Sequence, residues 1–269
     1  MFKQIKYDMQ LYRKDKYYPM MCLAMFVLGI IFTFLTTSSS QQYTLIQTSI
    51  FQNFDYTIYL DYYIIVLPLI VSIPVVNVIR SDQKVGLMIR VRSKIHINYY
   101  ISKIITAFFF GFLLSAIFLF SMIFFTVIYF TGIYIDYSDF SHLTAGNSHT
   151  ITSTIYFVDL YTMHPILFLI VSSLIICLFS GFYAVLTMLI TLLVKHNQLI
   201  PYVFVFVLEI INLYFCEFFL SSQYHILSIL LPVSRACQNT ILIMIFYIIF
   251  FIISSLIILM YLYAGDIYE

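Results

Sequence analysis

Long apolar stretches alternate with shorter polar segments along nearly the whole chain. A helix that crosses a hydrocarbon layer of about 30 Å needs about 20 apolar residues, and six stretches meet or approach that length. The predicted spans are residues 19–36, 58–79, 104–131, 164–194, 199–220 and 241–263. The pattern therefore predicts an all-α integral membrane protein whose residues 19–269 form a six-helix transmembrane domain.

The basic side chains predict how this bundle faces the membrane. All of the 13 lysines and arginines except Arg235 precede the first span or lie between spans two and three or four and five. The alternate loops, 37–57 and 132–160, contain none. Because Lys and Arg in short loops stay in the cytoplasm, both termini are predicted inside.

Residues 1–18 precede the first span and have a helical period. Phe2, Ile5, Met9 and Tyr12 recur at spacings of three and four, which predicts an amphipathic helix lying at the inner interface. The rest of its surface is largely polar: Lys3, Lys6, Asp8, Gln10 and Lys14. The alternative is a plain basic flank that only orients the first span.

Composition narrows the possible functions. With 62% hydrophobic and 9% charged residues, the chain belongs in lipid, since soluble domains carry about 25% charged residues. A net charge of +1 argues against a nucleic-acid partner. The four cysteines form no C-x-x-C pair and are expected to pack as small apolar groups. There is no G-x-x-x-x-G-K-[ST] or H-E-x-x-H motif, so we expect neither an ATPase nor a zinc protease.

The segment between spans two and three is the most informative. Residues 80–103 read RSDQKVGLMIRVRSKIHINYYISK. Ser81 or Asp82 can cap a short helix, Gly86 is expected to interrupt it, and a basic stretch follows. Such a segment fits either a membrane surface or a groove on a cytoplasmic partner.

This layout resembles the type-2 ABC exporter permeases (ABC-2 family). They have an interfacial helix, six spans and a coupling helix with the pattern acid–x–x–x–Gly, then Arg, a small polar residue and a Lys opening span three. The matching positions here are Asp82, Gly86, Arg90, Arg92, Ser93 and Lys103. Asp82 replaces the usual Glu, and the Pro often found near the Ser is absent. The layout is most similar to small permeases of Gram-positive bacteria that export amphipathic or antimicrobial peptides, including the phenol-soluble modulin exporters.

The resemblance implies a division of labour between chains. A separate ABC ATPase, which holds ATP and Mg²⁺, would bind the coupling segment, and this chain would carry no cofactor. Lys195 and His196 would form a second contact with that partner. A second copy or a sister permease would complete the pathway for a peptide substrate in the plasma membrane.

On the predicted outer side, two segments differ. Residues 132–160 contain acidic side chains, His142 and His149, but this spacing does not indicate a metal site, and none is expected. Residues 221–240 are too apolar for an exposed loop and are broken by Pro232. They resemble the short re-entrant outer helices of the family, with Arg235 reaching the outer headgroups.

Glu209, Asn212 and Glu217 place polar groups in the fifth span. Because a charge at mid-membrane is costly, Glu209 is expected to face the interior, either as a substrate contact or as a hydrogen bond between packed helices. Pro68 and Pro74 in the second span predict a bend, either static or acting as a lever.

Two other classes remain open. A secondary transporter, or a membrane immunity or sensor protein, is the main alternative, although such carriers usually show more spans and internal repeats. An intramembrane enzyme is the other, but the chain lacks a recognisable catalytic motif.

Overall fold

The described residues form helices only. The computed structural model describes residues 2–40, 58–92, 96–131, 165–194, 197, 199–220, 224–226, 230 and 240–268. The helices are α1 (Phe2–Lys14), α2 (Tyr17–Ser40), α3 (Ile58–Arg92), α4 (His96–Thr131), α5 (Pro165–Leu193), α6 (Ile200–Phe215), a π-helical turn (Cys216–Leu220) and α7 (Thr240–Tyr268).

Six of these helices are long and apolar enough to cross a membrane. The candidate spans are Tyr17–Leu35, Tyr62–Asp82, Tyr99–Phe125, Ile170–Leu193, Ile200–Leu220 and Ile241–Leu262. They coincide with the six predicted stretches to within several residues. The architecture is that of a multi-pass membrane protein.

Helix α5 lies at the centre of the bundle. Of its span, 78% is buried, against 17% for the spans of α6 and α7. Helices α3, α4, α6 and α7 all pack on α5, and α2 packs on α4. The apolar faces that α6 and α7 leave uncovered are those expected to contact lipid, because lipid and not water surrounds such a helix.

Helix α3 corrects the sequence prediction at residues 80–92. It continues unbroken from Ile58 through Pro68, Pro74 and Gly86 to Arg92, so the predicted cap at Ser81 or Asp82 and the interruption at Gly86 are wrong. Lys, Gln, Leu, Met and Arg are good helix formers, and one Gly costs only about 1 kcal/mol. The end of the apolar stretch therefore does not end the helix.

Helix α1 forms where predicted, and two of its side chains are buried against the protein. Phe2 and Met9 are 87% and 36% exposed, whereas Asp8 and Tyr12 are 1% exposed. The prediction that Asp8 belongs to the polar surface is wrong. The helix packs against α4, with lesser contacts to α2 and α3.

Close helix contacts depend on small residues. A Cβ added at Gly29 in α2 would meet the Phe118 carbonyl of α4 at 2.8 Å, and one at Gly111 in α4 would meet the Ser180 carbonyl of α5 at 2.8 Å. Ser180 also donates a hydrogen bond to the Gly111 carbonyl at 2.8 Å. Small residues let backbones approach in this way in membrane bundles.

Candidate functional site

A buried ion cluster joins α1, α3 and α4 at one end of the bundle. Lys103 Nζ lies 2.6 Å from Asp8 Oδ1 and 2.8 Å from Asp82 Oδ2, and all three side chains are 1% exposed. Asp8 and Lys103 are 95 positions apart in the chain. We call Asp8, Asp82 and Lys103 the ion cluster. It attaches α1 to α3 at the end of the α3 span and to the first turns of α4.

Residues of the first turns of α4 complete the ion cluster. Ser102 donates a hydrogen bond to Asp8 Oδ2, and the Tyr99 hydroxyl donates to Asp82 Oδ2 at 3.0 Å. Lys103 Nζ also lies 5.4 Å from the centre of the Tyr99 ring. Because buried charges are tolerated when they are paired and hydrogen-bonded, these partners stabilise the attachment of α1 to α3 and α4.

The ion cluster carries one cation and two carboxyl groups. Burial raises the pKa of Asp8 above its ordinary value, Lys103 and Ser102 act in the opposite direction, and the nearby Asp82 adds to the rise. Desolvation disfavours the charged form of a carboxyl group. Asp8 is therefore more readily protonated than an exposed aspartate.

Aromatic contacts extend the attachment of α1. The Tyr12 ring stacks on Phe110 of α4 with centroids 4.4 Å apart, and Tyr18 of α2 meets both rings edge-on. The Tyr18 hydroxyl donates to the Phe110 carbonyl at 3.3 Å. Such stacked and edge-to-face pairs add to the free energy of burial alone, so α1 is part of the bundle.

A second set of contacts ties α3 to the start of α6. Ser72 donates to the Tyr202 carbonyl at 2.7 Å, and the Tyr202 hydroxyl donates to Asn77 Oδ1 at 2.9 Å. Arg80 donates to the Asn197 carbonyl at 2.9 Å and lies 5.8 Å from the centre of the Tyr202 ring. The α5–α6 connection thus lies at the same end of the bundle as the ion cluster.

The predicted partner-binding residues are distributed unevenly about this end. Asp82 is buried in the ion cluster, while Gly86, Arg90 and Arg92 lie on the part of α3 beyond its span. Ser93, Lys195 and His196 lie outside the described residues. The structure therefore gives Asp82 a role inside the bundle that the sequence did not indicate.

The polar residues predicted in the fifth span separate into two groups. Glu209 and Asn212 lie on the inward side of α6, and Glu209 is 8% exposed. Glu217 is exposed, in the π-helical turn that follows. Sequence reasoning therefore placed Glu209 correctly toward the interior but grouped it with a glutamate that is not buried beside it.

Tyrosines from neighbouring helices complete the polar region around α6. The Tyr247 hydroxyl of α7 lies 3.1 Å from Asn212 Oδ1 and 2.8 Å from the Tyr224 carbonyl, donating to both. Tyr183 of α5 is the tyrosine that interacts with the Glu209 carboxyl group. Neither tyrosine was singled out from sequence, because 24 tyrosines are spread along the chain and no spacing distinguishes these two.

An apolar groove with a volume of about 420 Å³ lies between α4, α5 and α7. Its lining includes Phe108, Phe109, Phe182 and Leu256. Neither Glu209 nor Asn212 lines it. The groove can accept an acyl chain or another apolar group, but it does not bring a charge to that ligand.

Two further predictions concern thiols and metals. Cys177 and Cys216 are buried and Cys22 is half-buried, all as free thiols, which confirms the packing role predicted for these three. Cys237 and the loop with His142 and His149 lie outside the described residues. Within the described part, no group of three or more His, Cys, Asp or Glu is placed to hold a metal ion.

Comparisons with protein-family models, curated proteins and solved structures find no match to this chain.

Proposed function

We propose that this chain is the membrane subunit of an ATP-driven exporter of the type-2 ABC kind, located in the plasma membrane. A separate ABC ATPase with ATP and Mg²⁺ supplies the energy, and a second copy or sister permease completes the pathway. The substrate class is an amphipathic or antimicrobial peptide. The resemblance in residues 80–103 and the basic asymmetry of the loops support this assignment.

The observation that carries the proposal is the extension of α3 beyond its span. From Asp82 the helix continues to Arg92, about 15 Å at 1.5 Å per residue, and α4 begins at His96. The ion cluster lies where this extension meets the bundle. A helix that is continuous with a span, and that the ion cluster holds at the end of that span, is suited to transmit the movement of a docked partner.

Contacts between α3 and α6 provide a route for that motion. Ser72 and Asn77 of α3 contact Tyr202 at the start of α6. Arg80 contacts the Tyr202 ring and the carbonyl of Asn197, which precedes α6. A displacement of α3 therefore moves the helix that carries Glu209. In the proposed exporter, nucleotide binding in the partner would reach the bundle interior by this route.

The experiment is recovery of the chain with its energy source. The tagged protein, purified from its native membrane in mild detergent, is expected to bring with it a chain that hydrolyses ATP. A variant with Arg90→Ala and Arg92→Ala should lose that chain, whereas Lys14→Ala, an exposed basic control at the same end, should keep it. Peptide transport by the isolated chain in proteoliposomes, without any ATPase, would refute the proposal.

A secondary transporter is the second candidate. The buried Glu209 near the middle of the α6 span favours it, because ionisable groups at such positions often bind coupling ions. The proteoliposome experiment separates the two: a carrier responds to an imposed ion gradient and does not need nucleotide.

A further inference from the structure

Glu209 lies on the buried side of α6, near the middle of the α6 span. Its helix, α6, packs on α3 and α5, and the side chain is 8% exposed. Tyr183 of α5 is the neighbouring side chain that interacts with its carboxyl group. The carboxyl oxygen Oε1 is buried and has no hydrogen-bond partner among the described residues.

The groups facing Glu209 are neutral. Tyr183 comes from α5, Tyr247 from α7, and Asn212 and Cys216 from the same side of α6. On α3, Ser72 and Asn77 contact Tyr202, which lies about two helix turns before Glu209 on α6. In the described part of the chain, the ion pairs are those of Lys103 with Asp8 and Asp82, and none involves Glu209.

This geometry distinguishes the two protonation states. An ionised carboxylate spreads its charge over both oxygens, and Oε1 would then hold part of a buried charge without a donor. A neutral carboxyl group carries no net charge, so Oε1 can remain unpaired at a much smaller cost. The neutral state is the one that the surroundings match.

We infer that Glu209 and Tyr183 form a proton-binding site within the bundle, with the proton on Glu209 Oε1. Binding takes one proton from water, forms an O–H bond at Oε1 and removes the charge of the carboxylate; release reverses these changes. The proton is retained while α6 lies against α5, because that contact excludes water from Oε1. This inference does not depend on the proposed export function.

The test is infrared spectroscopy of the full chain in lipid nanodiscs at neutral pH. A protonated carboxyl group in an apolar site has a C=O stretch that is resolved above the amide bands. We expect the parent minus Glu209→Gln difference spectrum to show complete loss of one such band. Glu217→Gln, which changes an exposed glutamate of the adjacent turn, should remove none. Asp8 contributes its own signal to both spectra and cancels in the difference.

Tyr183→Phe provides a second readout that does not depend on the folding of the glutamine variant. Loss of the tyrosine hydroxyl beside the carboxyl group should shift the Glu209 band to higher frequency without removing it, which a merely structural tyrosine would not do. The inference is overturned if the difference spectrum lacks a C=O band, if a carboxylate band disappears in its place, or if Tyr183→Phe leaves the band unmoved.

Discussion

Lys103 is the residue on which the attachment of α1 depends most. It is the only cation of the ion cluster, and it pairs with Asp8 and Asp82 simultaneously. Removing it leaves two buried carboxyl groups side by side without a counter-charge. Breaking a buried pair in this way is strongly destabilising, whereas a fully neutral replacement of similar volume is often tolerated.

Lys103→Met should therefore destabilise the folded chain by about 3–5 kcal/mol, first by releasing α1. The measurement is thermal unfolding in detergent, together with protease cleavage within residues 2–14. Adding Asp8→Asn and Asp82→Asn to Lys103→Met should recover most of the loss, because no buried charge remains. Lys14→Met, at an exposed position, is the matched control; an equal effect there would contradict the assignment.

The Asp8 carboxyl predicts a pH dependence of α1 docking. Its pKa is raised by burial in the docked helix, so the docked state binds a proton more tightly than the released state does. Docking is strongest below the ordinary pKa of an aspartate and weakens as pH rises through the raised value. Hydrogen exchange of α1 amides, corrected for intrinsic rates, should accelerate over that interval.

The control for this pH effect removes the acid. Burial also raises the pKa of Asp15, so the comparison is made in an Asp15→Asn background. There, Asp8→Asn should make α1 protection independent of pH while keeping hydrogen-bond acceptance by the side-chain oxygen. A pH dependence that survives this change would place the responsible group elsewhere.

At the scale of elements, the interface between α4 and α5 contains two close approaches. One of them can adjust to an added methyl group and the other cannot. A Cβ on Gly111 would meet Ala184 Cβ at 2.5 Å and the Ser180 carbonyl at 2.8 Å, whereas the three atoms nearest to a Cβ on Gly181 all belong to the Phe108 ring, the first at 2.7 Å. Phe108 lines the apolar groove, so its ring has space to move. The backbone of α5 does not.

Gly111→Ala is therefore expected to destabilise the bundle by about 1–3 kcal/mol, because the added methyl group overpacks the contact with α5. Gly181→Ala should destabilise it less. Both variants add one methyl group to the same helix pair, so each serves as the control for the other. Thermal unfolding in the same detergent measures the difference. Equal losses for the two variants would show that the α5 backbone yields as easily as the Phe108 ring.

The elements also show what the sequence could and could not predict. Apolar length located all six candidate spans, because lipid thickness sets that length. It did not locate the end of α3 at Arg92, because charged residues that stop a span do not stop a helix. The burial of Asp8 in α1 was not predicted, since the helical period could not reveal that Asp8 meets Lys103.

The candidate sites were likewise predictable from the sequence only in part. Glu209 was expected to face the interior from the cost of a charge in lipid alone. Its partner Tyr183 was not, because a tyrosine in a membrane helix has many possible neighbours and only packing selects one. Arg80 was read as an orienting charge, but it also bonds to the Asn197 carbonyl, a partner that only tertiary structure identifies.

At the scale of the whole molecule, several elements lie together at one end of the bundle. They are α1, the end of the α3 span, the first turns of α4 and the α5–α6 connection. The contacts of Asp8 with Lys103 and of Arg80 with Asn197 place these elements together. The same segments carry nearly all of the basic residues. The proposed docking of an ATPase requires this end to face the cytoplasm.

Cysteine labelling should locate that end. In a chain whose four native cysteines are replaced, Met88→Cys on the extension of α3 should react with an impermeant maleimide only in inside-out vesicles. Asn197→Cys should behave in the same way, because Asn197 lies at the same end, and Ala145→Cys in the loop 132–160 should react only in right-side-out vesicles. The physical reason is the retention of Lys and Arg on the cytoplasmic side. Labelling of Met88→Cys from outside would show that the bundle has the opposite orientation. An ATPase would then have no access to residues 80–103, and the exporter proposal would be refuted. The inference of a proton site at Glu209 would be unaffected.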